Sequence, residues 1–104
     1  MLSTDKRSLL DVIDYQQDAI VSRTLIDRDA GSVTLFALDR GQRLGEHAVP
    51  FDTLIVMLEG EAVVRIGGQD SHLSRDASQL IPASECHALE ALAPIKMLLI
   101  MIKT

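Results

Sequence analysis

The stretch Gly41-Gln42-Arg43-Leu44-Gly45-Glu46-His47, with VMLEGEAVVRIGG at 56–68 and LIPASECHAL at 80–89, decides how this chain is read. Gly60 stands between two apolar runs, where a tight turn needs a positive φ that a residue without Cβ adopts at little cost. Asp76 belongs to the few non-glycine types that tolerate the left-handed region. Pro82 closes an apolar run at a point where a backbone donor can be absent. Between these punctuation points the side chains alternate. The period of two places His47, Val49, Thr53, Ile55 and Met57 toward one side, with His87 and Leu89 pointing the same way from the second stretch.

Outward from this centre the chain reads as short strands separated by turn residues, the spacing of an all-β fold. Strands are expected at 19–26, 32–38, 53–58, 62–66, 79–81, 87–91 and 95–103. Gly67-Gly68 makes a hairpin turn, and His72-Leu73 begins the return. Residues 41–45 read as a loop ahead of His47. Residues 3–15 read as a short helix, capped by Ser3, Thr4 or Asp5, with Leu9, Leu10 and Ile13 on one face. So short a helix is unstable alone, and its apolar face must pack on the rest of the domain. The last strand is informative because Met97 to Ile102 is apolar on both faces, whereas a strand with one wet face alternates. Either the N-terminal helix or a second subunit must cover it, and a homodimer is the expectation.

Composition narrows the function. At 104 residues the chain is one domain, and 47% hydrophobic with 24% charged residues is ordinary for a compact soluble protein. The formal charge of −5, without a basic run, disfavours nucleic acid, which needs a basic face against its phosphates. The single cysteine, Cys86, makes no internal disulfide, which suits a reducing, cytoplasmic setting. The first seven residues lack the apolar core of a signal peptide. The longest apolar run, 97–102, is about a third of a membrane-spanning helix, so no membrane association is expected.

The two stretches resemble the paired motifs of the cupins, small β-barrels that often hold a metal ion in the barrel mouth. The first motif, G-x5-H-x-H-x3-4-E-x6-G, is matched by Gly41, His47 and Gly60, with Val49 at the second histidine and Thr53 at the glutamate. The second, G-x5-P-x-G-x2-H-x3-N, is matched by Pro82 and His87, with Asp76 and Ser84 at the glycines and Ala91 at the asparagine. The resemblance covers residues 32–102. It implies an all-β, cupin-type antiparallel β-barrel, jelly-roll-like, with residues 32–104 forming the barrel and residues 1–31 supplying a short N-terminal helix and first strand that cover it, one domain overall.

In metal-binding cupins three histidines and one glutamate typically converge on the ion. Only His47 and His87 carry over; Val49 has no donor, and Thr53 offers a neutral hydroxyl. Two imidazoles alone hold a divalent ion weakly. Glu46, Asp52 or Cys86 would complete a set only against the strand alternation, and His72, beside the Gly-Gly turn, reads as solvent-exposed. The expectation is a pair of histidines in a metal-free pocket lined by Phe36, Val49, Thr53, Ile55, Met57 and Leu89, either filled by these side chains or open to a small apolar or weakly polar ligand. The function expected is small-molecule binding or sensing at a degenerate metal site. The alternative is a metal-dependent oxygenase, isomerase or lyase with one divalent first-row transition metal on His47, His87 and a third ligand.

Overall fold

The computed structural model describes residues 6–103. Nine strands follow one another: β1 (Ile20–Arg28), β2 (Gly31–Leu38), β3 (Arg43–His47), β4 (Asp52–Glu59), β5 (Ala62–Ile66), β6 (Gln69–Leu73), β7 (Ser78–Ile81), β8 (His87–Ala91) and β9 (Ile95–Ile102). They form two antiparallel sheets, one of five strands ordered β1-β2-β9-β4-β7 and one of four ordered β3-β8-β5-β6.

Three sequence expectations are corrected. The first is closure: the strands form two separate sheets rather than one closed barrel. The reason lies at the corners, where the chain crosses between sheets and left-handed residues interrupt the ladders. Gly41 (φ 83°), Gly60 (φ 85°), Asp76 (φ 70°) and Ser84 (φ 69°) sit at four of these crossings. Both residues that replace motif glycines, Asp76 and Ser84, thus adopt the conformation for which glycine is usually selected.

The second correction is the N-terminal helix. Among the described residues, 3–15 contains one 3-10 turn, Leu9–Asp11; the cap candidates Ser3, Thr4 and Asp5 lie outside them. Two carbonyls that a helix would use internally are taken by side chains from the sheet. Lys96 Nζ donates to the Leu10 oxygen at 2.6 Å, and Arg23 Nη1 donates to the Val12 oxygen at 3.2 Å. The segment is therefore a strap. Its buried Ile13 packs against Leu35 and Ala37, with Leu58 and Leu98 alongside. Burying such a side chain stabilises by about 1.5–3 kcal/mol. The Tyr15 hydroxyl donates to the Glu59 carboxylate at 2.5 Å, and the Lys96 ammonium lies 4.9 Å from the Tyr15 ring centre. Burial, reinforced by the Glu59 carboxylate, holds the Tyr15 hydroxyl well above the ordinary phenol range.

The third correction is β3, which occupies residues read as loop. With Gly45 and only one large apolar residue, Leu44, the segment has little strand propensity of its own. Pairing with β8 imposes the conformation, through Arg43↔Glu90, Leu44↔Leu89 and His47↔His87, with a register shift between the last two pairs.

Inside, Leu38, Ile55, Met57, Val64, Ile81, Leu89, Ile95 and Met97 form one buried cluster between the sheets. The cluster on the far side of the five-stranded sheet, around Ile13, covers part of its outer face. Strand β9 lies between the two clusters, which explains why its sequence is apolar on both faces.

A Cβ on Gly60 would overlap the Pro94 carbonyl oxygen and the Ile95 side chain, whereas one on Gly68, at a similar φ of 83°, would meet nothing within 4 Å. Gly60→Ala is expected to cost about 3 kcal/mol or more, against about 1 kcal/mol for Gly68→Ala, in urea unfolding midpoints. Equal costs would show that backbone conformation, and not the close approach of the 92–94 turn, decides residue 60.

Candidate functional site

His47 ends β3 and His87 begins β8, and the ladder sets them directly opposite each other. Their ring centres are 4.3 Å apart with the planes tilted by 54°. His87 is buried, 7% exposed, while His47 stands at the rim. Each ring is held by its own strand in the same manner. His47 Nδ1 lies 2.6 Å from the Gly45 carbonyl oxygen, and His87 Nδ1 lies 3.0 Å from that of Glu85. A carbonyl only accepts, so Nδ1 carries the proton in both rings and the lone pair of each neutral imidazole is on Nε2. Among the described residues, no hydrogen bond occupies either Nε2. Two oriented nitrogen donors therefore stand side by side.

They border a cavity of ≈ 40 Å³ between the two sheets. From the four-stranded sheet come His47, His87, Leu44 and Leu89. Thr53, Ile55, Leu99 and Met101 come from the five-stranded sheet, and Val49 from the turn between β3 and β4. The four positions that the cupin resemblance assigns to metal ligands, residues 47, 49, 53 and 87, thus surround one space. Two of them supply no strong donor there. Thr53 is 2% exposed, and its hydroxyl reaches only the Phe51 oxygen at 3.4 Å.

Phe36 and Met57 lie outside this lining. Both pair with Met97, one inward row deeper than Ile55 and Leu99, and belong to the packing of the core. Leu44, Leu99 and Met101 complete the wall, and the sequence reading does not assign them. Of the two readings of the interior, filled or open, the structure is close to filled: ≈ 40 Å³ takes only a few atoms.

The residues considered as a third ligand go elsewhere. Glu46 and Cys86 meet each other, Sγ donating to Oε1 at 3.2 Å, in an exposed contact. Asp52 accepts from the Ala83 backbone N–H at 2.9 Å and fastens the turn after β7. His72 lies 3.5 Å from Glu61, both well exposed. Among the described residues no group of three or more His, Cys, Asp or Glu side chains is placed to hold a metal ion. The donor set does not fit the divalent centre that the cupin resemblance implies.

A larger depression of ≈ 360 Å³ lies on the outer face of the four-stranded sheet, among Arg43, Glu46, Arg65, Asp70 and Glu90. Its arginines are already paired, Arg65 with Asp70 at 2.8 Å and Arg43 with Glu90 at 3.7 Å. It is a solvated charged face.

Comparison with solved structures places this geometry. A conserved protein of unknown function from Streptococcus pyogenes is 31% identical, with a TM-score of 0.94 over 100% of this chain and 91% of its own. A cupin superfamily protein from Desulfitobacterium hafniense is 27% identical, TM-score 0.93, over 99% of this chain and 95% of its own. A cupin 2 conserved barrel domain protein from Leptotrichia buccalis is 32% identical, TM-score 0.87, over 90% of this chain. The chain belongs to the cupin superfamily. It spans 46% of the Leptotrichia protein's length. No protein-family model matches this cupin, and no curated protein does. Of the motif positions at which this chain departs, Val49 and Thr53 are the two that stand where the resemblance places metal donors.

The hydrogen bond to Glu46, then burial and the charge of that carboxylate, push the Cys86 thiol above its ordinary value. Alkylation of Cys86 by iodoacetamide at mildly alkaline pH should therefore be slower than that of a free thiol. Glu46→Gln removes the hydrogen-bonding carboxylate and its repulsion and should accelerate it. An unchanged rate in Glu46→Gln would separate the two side chains in solution.

Proposed function

We propose that this cupin is a small-molecule-binding or sensing module that uses a degenerate metal site. One observation carries the reading: two imidazoles with free Nε2 lone pairs border a small apolar cavity that no carboxylate enters. Such a site accepts a hydrogen bond from a protic ligand and takes a short apolar group behind it. The enclosed space seats only the tip of that ligand, and the remainder rests at the rim beside His47. The oxygenase, isomerase or lyase reading needs a third donor for its metal, and Glu46 and Cys86 are engaged with each other instead. A general acid–base role for one histidine lacks a second essential group.

Short-chain alcohols and carboxylic acids are the probes. The expected result is a rise in melting temperature with ligand concentration, lost in His87→Ala and His47→Ala; at a hundredfold excess over Kd the stabilisation is about 2.7 kcal/mol. One tightly held equivalent of iron, manganese, nickel or zinc in protein purified without chelators would overturn the reading in favour of a metalloenzyme.

The partner we infer is a second copy of this chain, seated on the outer face of the five-stranded sheet. The ladders align Ile26, Val33, Ile100, Leu54 and Leu80 in one row across all five strands. Leu80 is 56% exposed, Ile26 40%, and Ile102, on the same face of β9, 51%. The row is centred on Ile100 of the middle strand, so a two-fold axis there lays it on its own image, as an isologous interface requires. Two such faces pack about 10 Å apart. Light scattering at micromolar concentration should give a dimer mass, and Leu80→Asp with Ile102→Asp a folded monomer. A wild-type monomer at every concentration would contradict the interface.

A further inference from the structure

The cavity is polar at its mouth and apolar behind. The 48–51 turn joins the end of β3 to the start of β4, and residues 82–86 join the end of β7 to the start of β8. His47 and His87 of one sheet and Thr53 of the other therefore stand at the same end of the molecule, Thr53 paired with Ile81 and Met101 within its own sheet. Deeper along the strands the lining is Leu44 and Leu89 on one side, Ile55 and Leu99 on the other. Thr53 is 2% exposed, and a hydroxyl among apolar groups costs free energy unless it is well bonded. Its contact with the Phe51 carbonyl, at 3.4 Å, is long beside the ordinary length of about 2.7–2.8 Å for such a bond. A valine has nearly the same outline and would avoid that cost. The chain thus keeps, across the mouth from its imidazoles, a buried hydroxyl that its own fold satisfies poorly.

These groups define a ligand by what they can exchange with it. Each imidazole commits its Nδ1–H to a backbone carbonyl and accepts through its other nitrogen. The Thr53 hydroxyl can donate to a better-placed acceptor than Phe51. Among the described residues no Asp, Glu, Lys or Arg lines the cavity, so a charged head group would lose its hydration without gaining a counter-charge. The fitting head group is neutral, donates toward one sheet and accepts from the other. A short-chain acid is ionised at neutral pH, and an alcohol has both functions on a single oxygen. A primary carboxamide is uncharged and places them on separate atoms, N–H for an imidazole and C=O for Thr53. The space of ≈ 40 Å³ is so small that a group entering it lies against the whole lining, with a short alkyl chain toward the leucines. We propose that Thr53 is the specificity-determining residue of this site, which selects short aliphatic primary carboxamides over the matching carboxylates. This inference rests on the reading of the cavity as a small-molecule site, and it narrows the ligand to one class.

Butanamide, butanoate and 1-butanol are a matched set of probes, titrated at neutral pH into 15N-labelled protein while the amide shifts of residues around the cavity are followed. The expected order of affinity is butanamide first, at least tenfold ahead of butanoate. Thr53→Val removes one hydrogen bond to the amide and should weaken butanamide about five- to tenfold. Its melting temperature should equal or exceed that of the wild type, because the poorly bonded hydroxyl is gone; a hydroxyl kept only for structure would give the opposite change. Thr53→Ser, which restores the hydroxyl, should restore the preference for the amide. Butanoate bound as tightly as butanamide, or butanamide bound equally by Thr53→Val, overturns the proposal. So does a Thr53→Val protein that melts well below the wild type. The broader reading is judged separately: binding of 1-butanol or butanoate that depends on His87, without preference for the amide, sinks only the role of Thr53. No shift at the cavity with any of the three probes removes both.

Discussion

Strand β9 is the middle strand of the five-stranded sheet and is apolar on both faces, so each face must be covered. The rest of the structure follows from that requirement. Its inward residues Ile95, Met97, Leu99 and Met101 form the floor on which the four-stranded sheet packs. Its outward residue Leu98 packs in the cluster built around Ile13 of the N-terminal strap. Lys96, 8% exposed, turns this covering into a specific attachment by holding the Leu10 carbonyl and lying against Tyr15. Because β9 pairs with β2 along its whole length and with β4 along almost all of it, its position also fixes that of Thr53 and Ile55, and hence the wall opposite the histidines.

Position and chemistry separate at the site. The fold still brings residues 47, 49, 53 and 87 around one cavity, as strand alternation and turn geometry dictate. What they offer has changed: two imidazoles remain, one donor position has become an isopropyl group and another a buried hydroxyl. Fold and site chemistry are specified by different atoms, and the replacement of two side chains changes the donor set without disturbing the fold.

What could be read from the sequence follows the same division. The corners were legible because steric rules act locally: Gly60, Asp76 and Pro82 each restrict the backbone at their own position. Inward positions on β4 and β8 were legible because a polar residue sets the phase of the alternation. Strand β9 carries no such phase. With apolar side chains on both faces, its pattern does not say which residues look inward, and Leu99 and Met101 were not assigned to the site. Strand β3 was missed because its conformation comes from pairing with β8. Phe36 and Met57 were assigned to the pocket because alternation gives the side of a strand but not the depth along it. The strap carries a helical pattern in sequence, and the captor of its Leu10 carbonyl, Lys96, lies 86 residues away, where no local pattern reveals it.

The central claim is that two imidazoles, each held through Nδ1–H by a backbone carbonyl, border a cavity that no carboxylate lines. The tautomers are directly measurable by long-range nitrogen–proton correlation in 15N-labelled protein free of metal. The account predicts that in the neutral form both His47 and His87 show a protonated Nδ1 and an unprotonated Nε2. A proton on Nε2 of either ring would mean that the carbonyls of Gly45 and Glu85 do not orient the pair, and would contradict the site described.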